Sequence, residues 1–248
     1  MFISMPISPS ISLAASQTLT QIVTAFIARE ESALATSYKW PLTHHQLHQH
    51  LPITVAGANS FHENLDLKQK MTGLWATNPS YQHAIADYYV RVWGGIRGNK
   101  LGTLSAYAAT IASGGTPNFH GIASWSKIAT AADATSAAIF DARVAVSLNA
   151  LQVLALREDQ KGVLFPKLES QNKVIKRVGA QLIAAGKARG WEVLPKDKLF
   201  FSAYIELLKR ATKSLSGSLP LARGEMVLFA MAENLASQAE ARLIAGRP

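Results

Sequence analysis

An all-α fold is what this sequence predicts. Three observations predict it. Apolar residues recur at three- and four-residue spacing along most of the chain, alternating Val/Ile/Tyr stretches of strand length are missing, and Gly- or Pro-marked breaks separate segments of helical length. No sheet is expected. Hydrophobic residues make up 48% of the 248 residues, enough to build a large core and to exclude global disorder.

The elements follow in order. Leu19, Ile22, Phe26 and Ala33 form the first helical run, which stops at Pro41. A short polar segment at 44–50 holds His44, His45, His48 and His50. Helices are then predicted at about 61–77, 80–94, 100–113, 122–132, 141–156, 170–188, 197–213 and 221–245. Breaks fall at Asn78-Pro79, Gly94-Gly95, Gly114-Gly115, Gly162, Gly190 and Pro220. Residues 1–15 read as an irregular N-terminal arm. They are apolar, but Pro6 and Pro9 interrupt them and no Lys or Arg precedes Arg29, a pattern that suits neither a secretory signal nor a membrane span. No long linker or repeat divides the chain, so 1–248 is taken as one domain.

Charge gives the first functional direction. Lys and Arg number 25 against 16 acidic residues, a net charge of +9. The excess is concentrated at 151–213, where 13 basic residues face 6 acidic ones, giving +7. A basic surface of this kind attracts a polyanion such as nucleic acid, although a solvated lysine-rich helix has the same composition. The chain has no Cys, so disulfides and thiolate metal sites are excluded. That suits a reducing, cytoplasmic setting. His44 and His48 have helical i,i+4 spacing, but no Glu lies between them and the metalloprotease pattern is missing. They are read as a polar surface turn, and no metal or cofactor is expected.

The segment with chemical content runs from 121 to 148. It opens Gly121-Ile122-Ala123-Ser124-Trp125-Ser126-Lys127, a small-residue turn starting a helix that bears Lys127. An Ala-rich connection follows. Ile139-Phe140-Asp141-Ala142-Arg143-Val144 then starts a second helix. Asp141 stands where an N-cap belongs, and there a carboxylate accepts backbone N–H bonds at the positive helix end. A carboxylate fixed in this way stabilises a sugar that develops positive charge as its base departs. Lys127, flanked by Trp125, Ile128 and alanines, is placed to be partly desolvated. A desolvated lysine loses its proton more readily and becomes a nucleophile.

These residues resemble the helix-hairpin-helix DNA glycosylases, most nearly the bacterial 8-oxoguanine-glycosylase-like branch. The match is good over roughly 30 residues. It is looser around Trp93-Gly94-Gly95-Ile96-Arg97-Gly98-Asn99 and Phe165-Pro166 to Asn172. The resemblance implies two helical lobes around a central cleft, with Lys127 and Asp141 as the catalytic pair. It also implies double-stranded DNA as partner, excision of a modified base, and action as a monomer away from membranes. Two departures are visible: the family's Gly-x-Gly hairpin reads Gly121-Ile122-Ala123 here, and the Lys-to-Asp gap is short. Asp141 alone would suffice for hydrolysis to an abasic site, and Lys127 would add lyase chemistry. Two substrates fit the resemblance, 8-oxoguanine in repair or a heavily modified viral base, such as glucosylated hydroxymethylcytosine, in anti-phage defence.

A base-flipping enzyme also needs a wedge, flat walls and phosphate contacts. Arg97 and Asn99 lie in a Gly-rich turn suited to a wedge. Tyr88, Tyr89, Trp93 and Trp125 are candidate walls, with core packing as the competing role. Arg143 stands beside Asp141. Gln171 and Asn172 are placed to read base or sugar edges or simply to start a helix. Lys173, Lys176, Arg177, Lys187 and Arg189 are candidate phosphate contacts. The alternative from another class is a DNA-binding helical module without catalysis.

Overall fold

The structure is a computed structural model that describes residues 13–117, 119–197 and 199–245. The chain is mostly helical, 67% by residue. Its helices are α1 (Leu13–Glu30), α2 (Leu34–Ser37), α3 (His44–His50), α4 (Ser60–Thr77), α5 (Gln82–Asp87), α6 (Leu101–Ala112), α7 (Ile122–Ala132), α8 (Ala142–Ala155), α9 (Lys173–Ala188), α10 (Phe200–Ala211), α11 (Pro220–Ala230) and α12 (Ala232–Ala245). A π-helical turn, Tyr88–Trp93, continues α5. Among the described residues, no helix is long and apolar enough to cross a membrane.

Local chemistry accounts for the starts of the helices near the site. Asn59 accepts from His62 N at the start of α4. Asp141 accepts from Arg143 N and Val144 N at the start of α8, and Asn172 from Val174 N and Ile175 N at the start of α9. Each satisfies N–H groups that a helix leaves unpaired. Gly121, which precedes α7, has φ +83°, and a Cβ there would lie 2.1 Å from Tyr107 Oη. Only glycine combines that backbone with that contact.

Several expectations need correction. Leu13, Ala14 and Ala15 open α1 and are helical rather than part of an irregular arm; residues 1–12 lie outside the described residues. The His44–His50 segment is a short helix. The predicted 221–245 helix is two, divided at Met231. A small sheet exists as well: β1 (Val163–Leu164) pairs in parallel with β2 (Glu192–Val193). Two side chains of α8 support it. Asn149 exchanges hydrogen bonds with the backbone of Phe165 at 2.8 and 2.9 Å. Gln152 does the same with Val163 at 2.7 and 2.8 Å. Helical amides thus stand in for a missing strand, and two residues per strand are too few to show a periodicity.

Among the described residues the core falls into two large hydrophobic clusters and a small third one of Ala134, Leu219 and Ala222. One large cluster is built from α1 and α8 to α12, with Phe140, Phe165 and Phe200 near its middle. The other joins α3 to α6 and the π-helical turn through Leu47, Leu67, Met71, Ile85 and Leu104. Helix α7 serves both, giving Ile122, Trp125 and Ala129 to the first and Ile128 and Ala131 to the second. Helix α4 also feeds both, through Phe61 and through Leu67 and Met71, so Lys127 sits on one of the helices that join the two large clusters.

Candidate active site

Lys127 lies on α7 with only 4% of its surface exposed. Its Nζ donates to Ala123 O, one turn earlier, at 3.3 Å. Among the described residues no carboxylate oxygen comes within 4.0 Å of it. Gly94 covers its stem: a Cβ on Gly94 would stand 2.8 Å from Lys127 Cε. Burial pushes the ammonium below the ordinary lysine value; Asp141 and Glu225 oppose this shift and Lys68 reinforces it.

Asp141 is half-buried at the start of α8. Both backbone bonds land on Oδ1, from Arg143 N at 2.9 Å and Val144 N at 3.1 Å. The carboxylate is thereby oriented by the helix that it caps. Lys127 and Asp141 are tied through their neighbours. Phe140 N donates to Ser126 Oγ at 3.0 Å, and that oxygen lies 3.3 Å from both Phe140 O and Ala123 O.

A buried ion pair lies elsewhere in the core. Lys68 Nζ on α4 donates to Glu225 Oε2 on α11 at 2.9 Å. Sequence reasoning missed both residues, yet a signal was present. Phe61, Asn64, Lys68, Met71 and Trp75 are all buried and follow one helical stripe, so a charge on it must face the interior. Glu225 similarly follows Leu221 and precedes Leu228 on the buried side of α11. Burial pushes Glu225 above the usual carboxylate range, and Lys68 only partly offsets this. Tyr38, Tyr89 and Tyr204 surround these charges, and burial raises all three hydroxyls well above ordinary tyrosine. Tyr204 donates to Ile139 O at 2.8 Å; Tyr89 Oη is buried without a partner among the described residues.

From the buried pair a row of rings leads to Arg143. Tyr89 and Trp93 rings lie 4.3 Å apart, Trp93 and Trp40 5.9 Å, and Trp40 and Phe229 5.5 Å. The Arg143 guanidinium lies 5.1 Å over Phe229. Hydrogen bonds fix the row: Trp93 Nε1 donates to Asn64 Oδ1 at 2.7 Å and Trp40 Nε1 to Trp93 O at 3.1 Å. Trp40, Trp93 and Phe229 are partly exposed. Trp40, Asn64 and Phe229 are contributions that sequence reasoning did not single out. Their apolar or amide side chains carry no chemical motif.

The other sequence-chosen residues divide into two groups. Arg143 pairs with Glu233 at 2.8 Å, and Glu233 accepts from Asn172 Nδ2 at 3.0 Å. The starts of α8, α9 and α12 are thereby joined. Gln171, Lys173 and Lys176 are exposed beside Asn172, with Lys176 3.8 Å from Glu169. Arg177 pairs with Glu240 at 2.8 Å, Lys187 is exposed and Arg189 lies 5.6 Å over Trp191. On the other side, Asn99 donates to Ser124 Oγ at 2.7 Å and so anchors its loop to α7. Arg97 is exposed. Trp125 is buried edge-on to Phe201 at 5.1 Å, and Tyr88 is buried. His44 meets Glu63 at 3.0 Å, and among the described residues no three metal-ligating side chains cluster.

What this site defines is a buried lysine and a helix-capping carboxylate on consecutive helices of an all-α protein. Comparison with known proteins finds no matching family model, no matching curated protein and no matching solved structure.

Proposed function

We propose that this chain is a DNA glycosylase that flips a modified base from the duplex and breaks its N-glycosidic bond, leaving an abasic site. One observation carries the reading: Lys127 and Asp141 stand on consecutive helices, one desolvated and the other oriented by two backbone N–H groups, with Ser126 bonded to Phe140 between them. The resemblance of 121–148 to helix-hairpin-helix DNA glycosylases supplies the reaction. The two-lobed arrangement of that family belongs to the same proposal, and the presence of two large hydrophobic clusters joined through α4 and α7 supports it.

Asp141 faces the sugar as the C1′–N bond breaks and stabilises the oxocarbenium-like centre. Water forms the new C1′–O bond, and its proton leaves with the base. Lys127 is the alternative nucleophile. As a free amine it attacks C1′ while the bond from C1′ to the base breaks, the base departing with the proton that the amine loses, and burial favours the neutral form. Trp40, Trp93 and Phe229 offer flat faces to an extruded base. Lys173 and Lys176 provide phosphate contacts. The base is 8-oxoguanine in a repair role or a modified viral base, such as glucosylated hydroxymethylcytosine, in defence. The enzyme acts as a monomer in the bacterial cytoplasm.

Incubation with DNAs carrying oxidised and modified bases, phage genomes included, tests the reading through the mass of any base released. One observation favours a second reading, a DNA-binding module without catalysis: Lys127 is nearly closed off and already bonded to Ala123 O. Salt-sensitive binding with no base released from any substrate selects that module.

A further inference from the structure

The chain has five tryptophans. Trp75, Trp125 and Trp191 are buried, whereas Trp40 and Trp93 are partly exposed. These two are tied into a closed circuit of hydrogen bonds with one buried side chain. Trp93 Nε1 donates to Asn64 Oδ1 at 2.7 Å. Asn64 Nδ2 donates to Trp40 O at 2.8 Å, and Trp40 Nε1 donates to Trp93 O at 3.1 Å. Asn64 Nδ2 also reaches back one turn of α4 to Ser60 O at 2.8 Å.

The chemistry of the circuit fixes the residue at its centre. An indole N–H can only donate and a backbone carbonyl can only accept. Position 64 must therefore offer an acceptor to Trp93 and a donor to Trp40. Asparagine does both; an ionised aspartate lacks the donor and leucine lacks both groups. Asn64 is fully buried, and Lys68, one turn on along α4, lies 5.8 Å from the centre of the Trp93 ring. Helix α4 thus holds Trp93 by its edge and by its ring. Water would satisfy a partly exposed indole equally well, so what the circuit adds is a fixed orientation. Trp93 also ends the π-helical turn, and the next residue, Gly94, rests on the stem of Lys127. The two rings are therefore fixed beside the cover of the candidate nucleophile.

We propose that Asn64 is a positioning residue: it locks the Trp40 and Trp93 indoles as a ready-made stacking face for a planar base turned out of a nucleic-acid strand. Asn64 itself touches no substrate. A mobile indole loses rotamer freedom when a base stacks on it, whereas a locked one has already lost it. The use of the face rests on the glycosylase reading; the locking is a property of the free protein.

The test uses the full chain. The indole Nε1–H NMR signals of Trp40 and Trp93, assigned through Trp40→Phe and Trp93→Phe, should be protected from solvent exchange in the wild-type protein and lose that protection in Asn64→Ala. Binding is probed with a duplex carrying one unpaired 5-iodouracil, which on irradiation crosslinks to a ring stacked on it. The wild-type protein should crosslink at Trp40 or Trp93. Asn64→Ala should lower that yield about tenfold per bound duplex, the scale expected for immobilising two side chains. Its overall affinity for the duplex, set by phosphate contacts, should stay at the wild-type level. Should Asn64→Ala fold poorly, Asn64→Asp carries the same test, because it keeps an acceptor for Trp93 Nε1 and loses the donor to Trp40 O. A folded variant whose indoles stay protected, or whose crosslink yield per bound duplex equals wild type, overturns the inference. So does a wild-type protein that fails to bind the duplex or crosslinks at neither ring. Base release separates the two claims. If the crosslink forms and depends on Asn64 but no modified DNA loses a base, the positioning stands and the glycosylase reading falls. Base release by a wild-type protein that crosslinks at neither ring keeps that reading and removes the inference.

Discussion

Ser126 and Phe140 hold each other across the connection between α7 and α8, with Phe140 N donating to Ser126 Oγ at 3.0 Å. Each is the immediate neighbour of a candidate catalytic residue. The hydroxyl is fully buried, so it sets the spacing of Lys127 and Asp141 without meeting solvent. Ser126→Ala leaves Phe140 N buried without its acceptor, at a cost of about 1–3 kcal/mol. Chemical denaturation should show that loss. Base release should fall in the folded variant although neither Lys127 nor Asp141 has changed.

Gly94→Ala tests the cover over Lys127. The added methyl would meet Lys127 Cε at 2.8 Å, Val90 O at 2.8 Å and Tyr89 O at 2.9 Å. Two of those neighbours are backbone and cannot swing away. Overpacking of this kind costs about 1–3 kcal/mol, measurable as a lower Tm. A Tm equal to wild type would show that the π-helical turn does not press on α7.

The buried pair predicts a pattern across three variants. Removing one partner leaves the other charge uncompensated, so Lys68→Met or Glu225→Leu alone should destabilise by about 3–5 kcal/mol. The double variant Lys68→Met with Glu225→Leu should regain most of that loss. Urea denaturation of the three checks it, and additive losses in the double variant would contradict the coupling.

Lys127 gives stability a pH dependence. Its folded value lies below the ordinary 10.5, so between those two values the unfolded chain binds more protons than the folded one. Stability therefore rises with pH through that window. Lys127→Met removes the group and should flatten the rise. The comparison of denaturation midpoints at neutral and alkaline pH measures it.

Most of the fold was legible because helical spacing is written into the apolar residues. The bounds of α7 agree with the prediction, and α4 and α8 with it to within a residue. What was not legible depends on contacts distant in sequence. The strand at Val163 is completed by Gln152, and Tyr88–Trp93 widens into a π-helix with Gly94 N bonded to Tyr89 O at 3.1 Å. The N-cap role of Asp141 was readable from its place before a helical run. Lys68 and Glu225 were each readable as a charge on a buried stripe, but their pairing was not, since nothing local joins α4 to α11. Asn172 had two readings, and its Oδ1 is taken up by helix capping.

Asp141 tests the account most directly. Asparagine caps a helix about as well as aspartate, so Asp141→Asn should stay folded and keep its salt-dependent affinity for DNA. Wild-type protein incubated with a panel of modified DNAs should release a base of defined mass and leave abasic sites, and Asp141→Asn should release none. Base release by the variant at the wild-type rate would contradict the central claim, as would a wild-type protein that releases no base from any of these DNAs.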